Sequence, residues 1–197
     1  QQGLNDPLGP LTSFRCFEFG VRCECPGQAK CDRFTQGVRT NCVPSGLYLH
    51  KVENFISFFK NMKKSPARDS ATGKCVDVPN DRRLVMAAIA GPTDKVEVGT
   101  QGNYPVLKPS CSTSQGFGVP AIRIKALVRA LAKALTAQEI ADIKAGKKNI
   151  PYFVDGAGTW REENFSSICS SDFSPALKRF AERINAARGT RCVDFGK

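Results

Sequence analysis

The sequence predicts an α/β domain in which helices cover a parallel β-sheet, and two observations carry this prediction. The first is a run of seven apolar residues without alternation, Leu84 to Ala90, which ends at Gly91-Pro92. Such a run is typical of a strand buried on both faces, and these strands belong mostly to parallel sheets flanked by helices. The second is helical periodicity in three segments, at 48–62, 120–135 and 174–188. One core strand is too few for three helices, so the chain is short of strands.

The first 47 residues are expected to form a disulfide-rich loop layer, and residues 48–197 the α/β part of the same domain. Five of the nine cysteines lie between Cys16 and Cys42, in a region rich in Gly, Pro and charge. Disulfides there would replace apolar burial, each contributing about 2 to 4 kcal/mol. One alternating piece, Phe14, Cys16, Phe17 and Phe19, predicts a short strand.

The segment 48–62 is expected to be a helix packed on a sheet, since its apolar residues recur at helical spacing. They are Leu49, Val52, Ile56 and Phe59, widened by Phe55 and Met62. After the core strand, Val96–Val98 and Val106–Leu107 flank a Gly-containing stretch and predict a hairpin.

The second half of the chain carries clear helix-start signals. Pro120 begins the second predicted helix, which runs to Leu135, and Thr136 with Glu139 forms the pattern of a capping box for a short helix closed by Gly146. Tyr152 to Val154 is a candidate strand. Ser174 is the N-cap of the last helix, for which we expect a buried face of four residues: Leu177, Phe180, Ala181 and Ile184.

The balance of charge is basic. Lys and Arg number 29 against 18 Asp and Glu, a net charge of +11 that favours anionic partners. The bases are scattered and the aromatic residues have helix-core spacing, which disfavours nucleic-acid binding. Lys125, Arg129 and Lys133 form a basic stripe along the second helix. Contact with an anionic surface polymer is one interpretation of this stripe, and a solvated helix face is the other.

The cysteine content indicates an oxidising compartment, so we expect a protein that is secreted, at the cell surface or periplasmic. A zinc site built from Cys23, Cys25, Cys31, Cys42 and His50 is the alternative, which the absence of paired Cys-x2-4-Cys hooks disfavours. The odd number leaves one thiol over, and residue types alone leave the connectivity open. Since no apolar run approaches the ~20 residues of a membrane helix, no membrane span is expected.

Enzyme motifs are missing from the sequence. It lacks a nucleophile elbow, a His-Glu-x-x-His pair, a phosphate loop and a dinucleotide fingerprint. Glu162 and Glu163 are adjacent, which would splay them rather than aim both at one bond, so a secreted hydrolase is a remote alternative. Asp172 precedes a helix N-terminus and is explained by the helix dipole. The sequence therefore predicts no catalytic residue, no metal and no cofactor.

Seven segments together resemble a bacterial secreted von Willebrand factor A-type (VWA) family. They are SFRCFEFGVRC (13–23), NCVP (41–44), YLH (48–50), LVMAAIAGP (84–92), PSC (109–111), PAIR (120–123) and SICSSDFSPAL (167–177). The resemblance covers most of the chain and departs from the family pattern at Cys25, Cys31 and Cys75 and over 136–163.

The resemblance implies a doubly wound, Rossmann-like VWA sheet flanked by helices. The family's metal-ion-dependent adhesion site uses an Asp-x-Ser-x-Ser loop, a Thr and an Asp, and this chain has none of them. The chain would then be the C-terminal portion of the domain, which explains the shortage of strands. The function implied is a non-enzymatic extracellular adhesion or assembly module, completed by an N-terminal part on another chain or separated by processing. The runner-up is a self-contained, disulfide-stapled cationic protein that binds anionic surface polymers.

Two further expectations follow from the resemblance. The loop of Gly91, Pro92, Thr93 and Asp94 follows the carboxyl end of a strand, where such sheets bind ligands, so it is the candidate ligand face; a plain connecting loop is the alternative. The resemblance implies the disulfides Cys111–Cys169 and Cys23–Cys42. Cys25–Cys31, outside the family pattern, would close a small extra loop, and Cys75–Cys192 is expected by exclusion. Cys16 would be left to pair with a thiol in the missing half.

Overall fold

The computed structural model describes residues 13–28, 31–32, 34–62, 65–68, 72, 74–78 and 84–188. The helices in this part are α1 (Ser13–Gly20), α2 (Val52–Asn61), α3 (Ile122–Ala130), α4 (Ala137–Lys144) and α5 (Ser174–Arg188). The strands are β1 (Val21–Glu24), β2 (Gly37–Pro44), β3 (Ser65–Arg68), β4 (Cys75–Val78), β5 (Ala88–Ala90), β6 (Val96–Gln101), β7 (Tyr104–Leu107), β8 (Cys111–Thr113), β9 (Gly116–Gly118), β10 (Tyr152–Val154), β11 (Trp160–Glu162) and β12 (Phe165–Ser167). The chain is a mixed α/β protein, as its sequence predicts.

The largest sheet has four strands in the order β1-β2-β6-β7. Each neighbouring pair in it is antiparallel, with Val98 of β6 opposite Gly37 of β2 on one side and Leu107 of β7 on the other. The predicted hairpin is therefore confirmed as β6–β7, but it joins an antiparallel sheet rather than a parallel one. Connections as short as the Gln101–Tyr104 turn can link only antiparallel neighbours.

The predicted core strand is much shorter than its apolar run. Residues 84–87 have no regular structure, and only Ala88–Ala90 forms a strand, β5, which pairs with β12. All seven side chains of the run are half-buried rather than buried on both faces. A strand extends only as far as the strand that pairs with it, and β12 is three residues long. The length of β5 is therefore set by this pairing, which the apolar pattern in the sequence does not show.

The segment from Phe14 to Phe19 is helical, so the predicted strand there is wrong. Phe14 and Phe17, three residues apart, are buried on one face of α1, while Cys16 between them is exposed. Together they enter a core cluster whose other buried members are Val21, Val96, Val98 and Ile122. Packing of the two rings against β6 thus favours a period near 3.6 over a period of 2.

A buried cation completes this cluster. The Arg39 guanidinium lies 5.8 Å from the ring centroids of both Phe14 and Phe17, and its Nη2 donates to the Asp32 carbonyl at 2.7 Å. Burial lowers the pKa of Arg39, which the nearby charges of Glu18 and Asp32 oppose. On the same strand Asn41 has φ of 48°, and its side-chain amide donates to Glu24 at 2.7 Å across the β1–β2 register shift.

The chain divides into two compact units that interleave along the sequence. Unit 1 comprises 1–54, 88–127 and 166–171, and its described part holds the four-stranded sheet and α1. Unit 2 comprises 55–87, 128–165 and 172–197, and its described part holds α4, α5 and the hairpins β3–β4 and β10–β11. The first 47 residues contain α1, β1 and β2, and so have more regular structure than the expected loop layer.

The second predicted helix ends five residues early, at Ala130 instead of Leu135. The next residues pair with β11: the Leu135 N–H donates to the Trp160 carbonyl at 2.8 Å, and the Glu162 N–H to the Lys133 carbonyl at 3.1 Å. The capping box before α4 is confirmed, since Thr136 accepts from the Glu139 N–H and Glu139 accepts from the Thr136 N–H.

The apolar face predicted for α5 is largely exposed, whereas that of α2 is exposed at two of its six residues and buried or half-buried at Leu49, Val52, Ile56 and Phe59. Val52 is the buried residue of α2, whereas Phe55 and Met62, on the predicted stripe, are exposed. Leu177, Ala181 and Ile184 of α5 are exposed as well. The described strands of unit 2 form two hairpins of three- and four-residue strands, which offer no broad sheet surface for two helices to cover.

Candidate functional site

The candidate ligand face, residues 91–94, is a tight connection between β5 and β6 in unit 1. Its first residue must be glycine, because a Cβ on Gly91 would lie 1.9 Å from the carbonyl oxygen of Val119. The Gly91 carbonyl also accepts from the Ala121 N–H at 3.2 Å, one residue before α3. The loop is therefore pinned to the start of α3, and Thr93 and Asp94 project from a fixed base.

Lys125 of α3 reaches this loop, so the structure joins two of the predicted site groups. Its Nζ donates to the Thr93 hydroxyl at 2.8 Å and lies 3.8 Å from the Asp94 carboxylate. The Lys125 side chain is 18% exposed, whereas that of Asp94 is 87% exposed. Lys125 thus serves as a support that orients the loop, and the Asp94 carboxylate is the group presented to solvent. An open carboxylate beside a hydroxyl can accept hydrogen bonds from a basic partner.

The rest of the basic stripe does not continue this surface. Arg129 donates through Nε to Glu163 at 2.8 Å and lies 4.5 Å from the centre of the Phe153 ring. Lys133 lies beyond the end of α3 and pairs with Glu139 at 3.1 Å. Each predicted base therefore has an acidic partner within the chain, which reduces the charge that it offers to an anionic surface.

The surroundings of Glu139 and Glu162 shift the pKa values of these two residues in opposite directions. Burial disfavours the charged form of Glu139, but hydrogen bonds from Thr136 and Lys133 outweigh it and lower its pKa to about 2. Burial raises the pKa of Glu162, which the Arg183 guanidinium, 2.7 Å from its carboxylate, partly counteracts. Glu163 pairs instead with Arg129, so the adjacent carboxylates of Glu162 and Glu163 meet different partners, as adjacency predicts.

Arg123 is a positioning residue that no pattern in the sequence indicated. Its guanidinium donates to three backbone carbonyls, those of Gly20 at 3.0 Å, Ser45 at 2.6 Å and His50 at 2.5 Å. The three carbonyls lie at the end of α1, directly after β2 and shortly before α2. An arginine on an amphipathic helix resembles an ordinary solvated residue in sequence, so no local signal marked this role.

Three disulfides lie in the described part of the chain: Cys23–Cys42, Cys25–Cys31 and Cys111–Cys169. These are three of the four pairs expected from sequence, and they exclude their cysteines from a zinc site. The expected Cys75–Cys192 pair includes Cys192, which lies outside the described residues. Cys16 carries a free, exposed thiol in the structure.

The Cys111–Cys169 bridge supports the candidate ligand face from behind. Cys111 opens β8, and a Cβ on Gly118, opposite it in β9, would lie 3.2 Å from the Cys111 Sγ. The Ile168 N–H, next to Cys169, donates to the Ala90 carbonyl at 2.9 Å. The bridge thus holds the β8–β9 hairpin beside the last residue of β5, directly before the 91–94 loop.

The other residues considered from sequence have local explanations. Asp172 accepts from the Ser174 N–H at 2.8 Å, and this bond lowers the pKa of Asp172. His50 is exposed at the end of the segment before α2. Across the described ranges, no three His, Cys, Asp or Glu side chains are grouped so as to hold a metal ion. Over the same residues, no helix has the length and apolar character needed to cross a membrane.

Comparison with protein-family models, with curated proteins and with solved structures found no match for this chain.

Proposed function

We propose that this chain is the C-terminal part of an extracellular VWA-like adhesion or assembly module and that it binds a protein partner instead of catalysing a reaction. In this proposal a second segment, the N-terminal part of the module, completes the doubly wound sheet. The completed module would be secreted, at the cell surface or periplasmic. The apolar helix faces of unit 2 are the observation that carries the proposal.

On α2, the side chain of Phe58 is 58% exposed, and Phe55 and Met62 beside it are exposed too. Their helical spacing is that of a face packed on a sheet. Full burial of a Phe or Met side chain contributes roughly 1.5 to 3 kcal/mol. Burial of this face by another segment would therefore contribute several kcal/mol to the free energy of association.

On α5, Leu177 is 56% exposed and Ile184 lies two turns further along the same face, also exposed. Ala176 is buried and fixes the first turn of the helix in unit 2. The 15-residue helix is amphipathic in sequence, but part of its apolar face is exposed in the structure. Both α2 and α5 thus carry exposed apolar side chains at helical spacing.

The pair β5–β12 supplies the position at which strands could be added. The two strands are 75 residues apart in sequence and have each other as sheet neighbour among the described strands. Within that part of the chain, each strand presents an open edge, and such an edge is a template for a further strand. The 91–94 loop follows directly from β5, so the exposed Asp94 would lie at the rim of an extended sheet.

Disulfide analysis of the native material tests this proposal. The protein is isolated without reduction from its source, separated by size and mapped by mass spectrometry. We expect a second segment to co-purify, joined to Cys16 through a disulfide, because that thiol is exposed and free in the structure. A lone monodisperse species with the mass of this chain, or a bridge from Cys16 to another cysteine of this chain, would contradict the proposal.

A matched pair of variants locates the contact. Phe58→Ser removes an exposed ring from α2, and Tyr104→Ser removes a similarly exposed ring from β7 in unit 1. We expect Phe58→Ser to weaken association with the second segment by roughly tenfold or more, as loss of a large apolar anchor does, and Tyr104→Ser to leave it unchanged. Equal effects of the two substitutions would remove α2 from the interface.

A further inference from the structure

The β10–β11 hairpin of unit 2 carries a stacked aromatic pair. The rings of Tyr152 and Trp160 are 4.3 Å apart between centroids, with 17° between their planes. Tyr152 is opposite Glu162 and Trp160 is opposite Val154, so the two rings are diagonal neighbours on one face of the hairpin. Trp160 is half-buried, whereas Tyr152 is 44% exposed.

A lysine completes the stack. The Lys144 ammonium lies 5.4 Å from the centre of the Trp160 ring, within the range of a cation–π contact. Tyr152 already covers one face of the indole, so Lys144 covers the other. The outer face of Tyr152, the more exposed of the two rings, is then the aromatic face available to a ligand.

The surroundings hold these groups in place. The Leu135 N–H donates to the Trp160 carbonyl at 2.8 Å, and the capping box at Thr136 and Glu139 begins α4 immediately afterwards. Lys144 sits in the last turn of this capped helix. These hydrogen bonds fix the backbone of Trp160 and the start of α4, and so the position from which Lys144 reaches the ring.

Further positive charge follows α4. Lys147 and Lys148 are exposed in the turn after the helix, where Gly146 has φ of 69°. Lys148 is held by Asp142 at 3.2 Å, which neutralises part of its charge. Lys144, against the Trp160 ring, and the exposed Lys147, three residues further along the chain, are therefore the candidate bases for an anion.

We propose that Tyr152, Trp160, Lys144 and Lys147 form a binding site for an acidic oligosaccharide. The apolar face of one pyranose ring would lie on the Tyr152 ring, and the sulfate or carboxylate groups of the glycan would meet the two lysines. Trp160 and Lys144 hold the Tyr152 ring in position. None of its residues lies on α2 or α5, the helices on which the partner segment is proposed to bind, so the site is independent of that segment.

The number of open ring faces favours a glycan over a nucleic acid. Proteins that bind single-stranded nucleic acid stack successive bases on several aromatic side chains along a basic groove. Here two of the rings are stacked on each other, and one face remains. One open face suits one sugar ring, with specificity supplied by the charges beside it.

Titration of the full chain with three probes tests this site. They are a heparin-derived oligosaccharide, an oligogalacturonate of similar length and an oligothymidylate, each measured by calorimetry at low and moderate salt. We expect the sulfated or the carboxylated sugar to bind, and comparison of the two identifies which acid the site takes. The oligothymidylate should bind more weakly than the better sugar, and tighter binding of it would overturn the proposal, as would failure of both sugars to bind.

Variants separate this site from non-specific attraction to a basic protein. Tyr152→Ala should weaken sugar binding by roughly tenfold, whereas Tyr152→Phe, which keeps the ring, should change it by less than about twofold. Lys144→Gln and Lys147→Gln should each weaken binding about threefold at low salt. Tyr104→Ala and Lys51→Gln are matched controls on exposed positions of unit 1 and should have no effect. Equal losses in the control and site variants would contradict the proposal.

Discussion

The core around α1 and the helices α2 and α5 use the same kinds of residues and reach opposite outcomes. Phe14 is 2% exposed within a cluster that unit 1 builds from its own sheet and disulfides, whereas Phe58 on α2 faces solvent. Both phenylalanines lie on amphipathic helices. The difference shows that an apolar face becomes a core only where the same unit supplies a surface to cover it. Under the proposed function, the surface for α2 and α5 comes from a second segment.

Truncation of one phenylalanine in each region, Phe14 in the core and Phe58 on α2, is the strongest test of this comparison. Phe14→Ala should lower the free energy of unfolding by about 3 to 5 kcal/mol, because it removes a fully buried ring and leaves a cavity. Phe58→Ala in the isolated chain should change it by no more than about 0.5 kcal/mol. Urea unfolding under non-reducing conditions measures both. Similar losses from the two substitutions would show that α2 is covered within this chain.

The Cys111–Cys169 bridge tests how far unit 1 depends on its disulfides. The bridge links residues that are 58 apart in sequence, and chain-entropy arguments assign a bridge of that span about 4 kcal/mol. The double substitution Cys111→Ser, Cys169→Ser should lower unfolding stability by this order. Hydrogen exchange should increase most at β8–β9 and at β5, next to the bridge. Unchanged exchange at these strands would show that the bridge does not hold the 91–94 loop.

Loss of the helix cap at Thr136 should destabilise α4 whether or not a second segment covers the apolar helix faces. Thr136→Ala removes the side-chain acceptor for the Glu139 N–H at the start of α4 and should cost about 1 kcal/mol. Thr136→Ser keeps an acceptor and serves as the control. Thermal unfolding of the three proteins measures the difference. Equal midpoints for the Ala and Ser variants would mean that the Thr136 side-chain acceptor contributes nothing to the stability of unit 2.

The smallest expected effect is on acid stability. The folded-state pKa of Glu139 is about 2, below that of an unfolded glutamate, so its contribution is fully present above pH ~4.5 and is lost as the pH falls toward 2. Glu139→Gln should therefore flatten the fall in stability across this range. Unfolding measured at several pH values compares the variant with the parent. Parallel curves would show that the carboxylate is not held in its charged form.

The helices α2, α3, α4 and α5 were predictable because their signals are local, whereas α1 was predicted as a strand. The Thr136–Glu139 box, Ser174 and the periodic residues of α2 each act within one or two turns, and the β6–β7 hairpin is joined by a short turn. The mixed α/β class follows from these elements. Long-range pairing was not predictable from the same signals.

Two departures share this cause. The apolar run from Leu84 became a three-residue strand because β12 pairs with no more of it, and the helix from Pro120 stopped at Ala130 because the next residues pair with β11. Of the site, the 91–94 loop was predicted from sequence, but its support by Lys125 was not. The Tyr152–Trp160 stack depends on a strand register, which no short motif encodes.

Oxidative footprinting of α2 and α5 decides whether a second segment covers these two helices. Hydroxyl radicals label exposed Phe, Met and Leu side chains, so labelling of Phe58, Met62 and Leu177 is compared between the isolated chain and the protein isolated without reduction from its source. We expect strong labelling of all three in the isolated chain and clear protection in the native material, while Tyr104 is labelled equally in both. Equal labelling of Phe58, Met62 and Leu177 in the two samples would show that nothing covers these helices in the native protein.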